Sequence, residues 1–138
     1  MRSRIFLAAV IGLAACAPIA GTRVDPRTVE IEPHPWPSPQ IAAGAAPPRI
    51  LALWMNHTAL PSGTDWRGRI VTTTNVASVE VRTESFSFVA DRTRYGDFSF
   101  EQHVLDMVPQ YKRSYALQVI ARNAAGDRDE RLVEISFP

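Results

Sequence analysis

The groups able to do chemistry in this chain are few and scattered. Cys16 is the sole thiol among 138 residues, and the imidazoles are His34, His57 and His103. A tetrahedral metal site needs several soft donors at short, recurrent spacings, and no second cysteine or paired histidine accompanies any of these. Only Glu101 and His103, two residues apart, share one face of a strand, and two donors make a poor metal site. Asn123, Asp127, Asp129 and Glu130 gather hard oxygen donors near one turn, the chemistry of a calcium loop, yet acidic turns commonly serve solubility alone. Ser62-Gly63 and Ser114 lack the context of a nucleophile elbow, and no glycine-rich phosphate loop is present. The residues therefore predict no catalytic group, no metal site and no cofactor. Trp54 and Trp66, with Met55, remain as candidates for a binding surface.

Charge narrows the partners. Lys and Arg number 15 against 14 Asp and Glu, a formal net charge of +1. From Arg49 onward there are 11 basic and 11 acidic side chains, so the surplus lies in the N-terminal third. A neutral domain has no electrostatic pull toward a polyanion, which excludes nucleic acid as the expected partner. With one cysteine no internal disulfide can form, and 46% hydrophobic residues suffice for one modest core.

The elements around these residues begin with a targeting segment. Met1-Arg2-Ser3-Arg4 is a short basic stretch, and Ile5 to Ala15 is an apolar run of 11 residues. That is the length of a signal-peptide core, well short of the roughly 20 residues needed to span a bilayer. The run finishes Leu13-Ala14-Ala15-Cys16, which resembles the lipobox of bacterial lipoproteins. The resemblance implies cleavage after Ala15 and diacylglycerol on the Cys16 sulfur. It further implies anchorage in a cell-envelope membrane, the outer one in a double-membrane bacterium because Ala17 stands where Asp would signal inner-membrane retention. Arg2 and Arg4 are not adjacent, so general secretion is expected rather than a twin-arginine route.

Residues 16–48 read as a disordered proline- and alanine-rich linker. Eight of the chain's 11 prolines fall between Ala17 and Pro48, including His34-Pro35-Trp36-Pro37-Ser38-Pro39. Proline removes backbone donors and fixes φ, so neither helix nor central strand is sustained. As a free chain this spacer would reach about 30 Å when flexible and about 100 Å when extended.

From Arg49 to Pro138 the apolar pattern alternates at period two, predicting seven short strands. They run roughly over 49–55, 67–73, 77–83, 85–90, 97–104, 114–123 and 130–137. The clearest sets Tyr115, Leu117, Val119 and Ala121 inward with Gln118 and Arg122 outward. The last, with Val133, Ile135 and Phe137 inward, follows the turn Asn123-Ala124-Ala125-Gly126-Asp127 as a hairpin. In the first strand both faces are apolar, with Ile50, Ala52 and Trp54 on one and Leu51, Leu53 and Met55 on the other. Such an edge, if open, could bind a partner by strand addition.

The run Tyr115-Ala116-Leu117-Gln118-Val119-Ile120-Ala121-Arg122-Asn123-Ala124-Ala125-Gly126 resembles the Y-x-x-x-V-x-A-x-N-x-x-G pattern of fibronectin type III and related bacterial immunoglobulin-like domains. Trp66-x-Gly68-x-Ile70 and residues 75–81 are similar to their second and third strands. The resemblance implies an all-β, seven-stranded antiparallel immunoglobulin-like β-sandwich, with Tyr115 at the tyrosine-corner position closing the connection after Pro109. The family's inter-sheet disulfide and third-strand tryptophan are missing here.

The expected function is thus a lipid-anchored cell-envelope protein whose membrane contact runs through lipid on Cys16. Its module is expected to be non-catalytic, binding an envelope protein or a polysaccharide, or acting as a spacer. The alternative is an accessory subunit of an envelope enzyme or transport complex.

Overall fold

The computed structural model describes residues 22–23 and 34–138, so the basic stretch, the apolar run and Cys16 lie outside the described residues. The described chain is all-β, with a single 3₁₀ turn at Pro109–Tyr111. Among the described residues no helix is long and apolar enough to cross a membrane.

Among the described residues nine strands form where seven were expected: β1 (Thr22–Arg23), β2 (Ile50–Met55), β3 (Asp65–Thr72), β4 (Val76–Arg82), β5 (Ser87–Val89), β6 (Asp91–Arg94), β7 (Asp97–His103), β8 (Ser114–Asn123) and β9 (Arg128–Ser136). One sheet runs β9-β8-β4-β5 with every neighbour antiparallel, and β1 adds to β9 in parallel; the other is the antiparallel β2-β3-β7-β6. Two strands, β1 and β6, were not expected. β6, Asp-Arg-Thr-Arg, is exposed at all four residues and pairs only with β7, so it has no buried face to write alternation into the sequence. β1 is two residues long and lies amid prolines, held by β9 rather than by its own pattern.

Side chains of both sheets meet in one core. β8 supplies Tyr115, Leu117, Val119 and Ala121, β9 supplies Val133 and Ile135, and β4 supplies Val79 and Val81. From the other sheet come Met55, Trp66, Ile70, Phe98 and Phe100. These are the inward sets that the alternation predicts for β4, β7, β8 and β9. Trp66 ties the sheets together: its ring meets Phe100 at 4.9 Å and receives Phe88 of β5 edge-on at 6.0 Å. Gly68 makes this possible, because a Cβ there would lie 2.2 Å from the Phe100 ring.

The β2 faces differ from the simple alternation. The β2–β3 register shifts between Ile50 and Ala52, so Ile50 joins Leu53 and Met55 against the core, while Ala52 and Trp54 stay half-buried. An extra residue in one strand reverses the side-chain parity beyond it, and no period-two reading carries that information.

The spacer is not free where it is described. The Thr74 amide donates to the Gln40 carbonyl at 2.9 Å, and the Ala42 amide donates to Thr74 Oγ1 at 3.0 Å. The Ala46 carbonyl accepts from the side-chain amides of Asn75 and Asn123. The Arg69 guanidinium sits 4.6 Å from the Trp36 ring centroid. Residues 34–48 therefore lie on the domain instead of forming its stalk. Proline lacks a ladder donor but keeps its carbonyls and starts with little conformational entropy to lose, so such a segment can dock without becoming a regular strand.

Candidate binding surfaces

Of the two tryptophans expected at a surface, Trp66 is 2% exposed and belongs to the core, so the ring itself offers no contact face. Trp54 is half-buried on β2, opposite Arg69 in the ladder, with its indole N–H buried and without a hydrogen-bond partner. β2 is an edge strand, but its start is closed: the Ile50 amide donates to Asp129 Oδ2 at 2.7 Å and Arg131 Nη2 donates to the Ile50 carbonyl at 2.8 Å. After β2 the chain crosses to the other sheet, where the Leu60 amide donates to the Ser136 carbonyl and the Ser136 amide to the Thr58 carbonyl. Strand addition along this edge is therefore obstructed at its first residue.

The polar groups singled out from sequence do not gather into one site. His57 is exposed, and His103 Nδ1 lies 2.7 Å from Asp65 Oδ1 on the neighbouring strand rather than pairing with Glu101. Asn123 and Asp127 lock the β8–β9 turn: Asn123 Nδ2 donates to the Asp127 carboxylate and the Asp127 amide donates to Asn123 Oδ1. Asp129 is engaged by Ile50 and Arg131, and Glu130 is buried in register with Ile120. Asn123 and Asp127 thus bond to each other, Asp129 bonds elsewhere, and Glu130 Oε1 is buried without a hydrogen-bond partner, so the four do not converge on one point. Among the described residues no three His, Cys, Asp or Glu side chains group as metal ligands. Asn56 has a local task as well, accepting from the Arg67 amide and donating to the Asp65 carbonyl.

Asp97 was not singled out. Its carboxylate, 5% exposed, accepts from Arg69 Nε at 3.1 Å and Nη2 at 2.8 Å, and from Arg94 Nε at 3.2 Å. The Arg69 hydrogen bond, opposed by burial and helped by the charges of Arg69 and Arg94, holds its pKa below the ordinary value. Its acceptor sites face protein donors, so its role is to fasten β3, β6 and β7. Trp36 then covers the Arg69 guanidinium, joining the docked segment to this ion cluster.

A largely hydrophobic opening lies between the sheets at the end away from the β8–β9 turn. It is a cleft of about 310 Å³ lined chiefly by Trp66, Phe86, Phe88, Leu105, Met107 and Phe137, with Gln102 and His103 among its polar neighbours. Leu105 is 73% exposed, and Val108 and Tyr111 of the following connection are about half exposed. The Trp66 indole N–H is buried with no hydrogen-bond partner. Tyr115, beside this end, donates its hydroxyl to the Tyr111 carbonyl at 3.0 Å, closing the connection after Pro109 as the resemblance implies. The cleft is not legible in the sequence because its lining comes from four separate stretches of chain, with the run Phe86-Ser87-Phe88 as its one local signal. Compared with known proteins, the chain matches no protein-family model and no curated sequence.

Proposed function

We propose that this chain is a bacterial lipoprotein, tethered to the cell envelope through lipid on Cys16, whose folded part is a non-catalytic binding module. The anchor reading rests on Leu13-Ala14-Ala15-Cys16 after an 11-residue apolar run in a chain with no other thiol. Ala17 favours the outer membrane in a double-membrane bacterium. We read the two sheets as an immunoglobulin-like sandwich. Their shared core, the aromatic junction at Trp66 and the Tyr115 hydroxyl bond support that reading.

The observation that carries the binding role is the apolar cleft. Exposed large hydrophobics beside a concave opening mark contact surfaces, because leaving them in water is unfavourable. Its lining favours an apolar segment of an envelope protein over a polysaccharide, which would need many more polar groups to replace its water. The same surface could serve a permanent partner, and stable co-purification with a larger enzyme or transporter would then replace the transient-binding reading.

Two measurements test these halves separately. Labelled palmitate should enter the wild type and not Cys16→Ser, and equal labelling would remove the anchor reading. In a complementation assay Leu105→Glu with Met107→Glu should abolish function while fold and anchorage stay intact. Alanine at His57, Glu101 or Asp127, none of which lines the cleft, should be tolerated. Loss from one of these alone, with fold and anchorage retained, would point to chemistry in place of binding.

A further inference from the structure

We infer that the end of the domain carrying Ile41 and Tyr95 rests on the lipid surface, with the apolar cleft facing away from it; this rests on the proposed lipid at Cys16.

β1 sets the direction of the tether. Thr22 and Arg23 pair in parallel with Arg131 and Leu132. Parallel pairing fixes direction: the chain preceding Thr22 points toward the start of β9, the end bearing the β8–β9 turn. Cys16 is six residues before Thr22, and six residues of fully extended chain span at most about 20 Å. A spacer that would reach about 100 Å if free is thereby cut to that length, and the sheet end beside Arg128 must lie close to the bilayer. The cleft lies near the opposite end of β9, a strand of nine residues or roughly 30 Å.

The chemistry of the near end fits a lipid interface. Ile41 is 91% exposed although the backbone on both sides is pinned by the Gln40 and Ala42 hydrogen bonds to Thr74, so its exposure is built in. Tyr95 is 69% exposed in the β6–β7 turn, beside Gly96, whose carbonyl accepts from Thr72 at the same sheet end. The Arg92 guanidinium lies 4.8 Å from the Tyr95 ring centroid, and Arg49 is exposed nearby. An aliphatic tip, an amphipathic aromatic ring and arginines able to meet phosphate headgroups form the side-chain set favoured at membrane interfaces.

The test couples the chain from Cys16 onward, through that thiol, to a maleimide-headed phospholipid in vesicles of phosphatidylethanolamine and phosphatidylglycerol. Chemical coupling makes the outcome independent of whether cells lipidate Cys16, which palmitate labelling decides separately. Benzoylphenylalanine is placed in turn at positions 41, 95 and 105 and irradiated, and lipid adducts are read by mass. Adducts at 41 and 95 should exceed those at 105 at least tenfold. Inserting a twenty-residue Gly-Ser segment between Ala17 and Thr22 should lower the adducts at 41 and 95 severalfold. Adducts at 105 equal to those at 41 and 95, or none at any position, would overturn the proposal, as would insensitivity to the insertion.

Discussion

Leu117 and Gln118 are neighbours on opposite faces of β8, and the difference between them is a direct measure of the register. Leu117 is wholly buried, whereas Gln118 accepts from Arg82 Nε on the outer face. Leu117→Asp should cost about 4 kcal/mol or more by burying an unpaired charge, and Gln118→Asp less than about 1 kcal/mol, by urea denaturation. Equal costs would mean the face assignment is wrong. Gly68→Ala should destabilise by about 2 kcal/mol because its Cβ meets the Phe100 ring, and pairing it with Phe100→Leu should recover part of that loss. Asp97 brings a pH signature. Its folded pKa is depressed, so its contribution is complete above the unfolded carboxylate value and is lost as pH falls through the lower folded value. Wild type should exceed Asp97→Asn by about 2 kcal/mol at pH 7. The gap should narrow below about pH 4. A gap that stays constant down to pH 2 would contradict the ion cluster.

At the scale of elements, the docked segment changes what counts as the domain. Residues 34–48 contribute Gln40, Ala42 and Ala46 hydrogen bonds and place Trp36 against Arg69. Chains starting at His34 and at Arg49 should both fold, but the longer should melt at least about 5 °C higher, corresponding to roughly 1 kcal/mol for a domain of this size. Identical melting curves would mean the segment adds nothing. Strand existence was readable wherever one face is buried, as in β4, β7, β8 and β9. It was not readable in β6, where no face is buried, nor in the parity of β2, where a bulge intervenes.

For the whole molecule, the end toward which β1 directs the preceding chain and the end holding the cleft lie at opposite ends of β9. If Cys16 carries lipid as proposed, a free tether of about 20 Å and a strand of about 30 Å place the cleft within about 50 Å of the bilayer. On the proposed reading, a partner would have to present its apolar segment inside that shell, where tethering raises the effective concentration toward the millimolar range. Cys16→Ser should keep the fold, checked by circular dichroism, and lose most of the cellular effect in complementation. Full activity of the untethered protein would show that proximity to the membrane is not part of its work.

By itself the sequence determined what short-range physics controls. The alternation in 114–123 and 130–137 dictates which side chains leave water, and the Asn123 to Asp127 turn chemistry dictates the hairpin between them. The small residues before Cys16 likewise define the lipobox resemblance without reference to any fold. Tertiary structure decided what depends on distant partners. Trp66 and Trp54 look alike as sequence, yet Phe88, Phe100 and the Gly68 gap draw one into the core while the ladder leaves the other half-buried beside Arg69. The prolines between 34 and 48 forbid regular structure, but only donors on Thr74, Asn75 and Asn123 convert that stretch from a stalk into a docked strap. The cleft exists because β3, β5, β7 and the end of β9 converge, and convergence of residues far apart in the chain is a property of the fold, not of any local pattern.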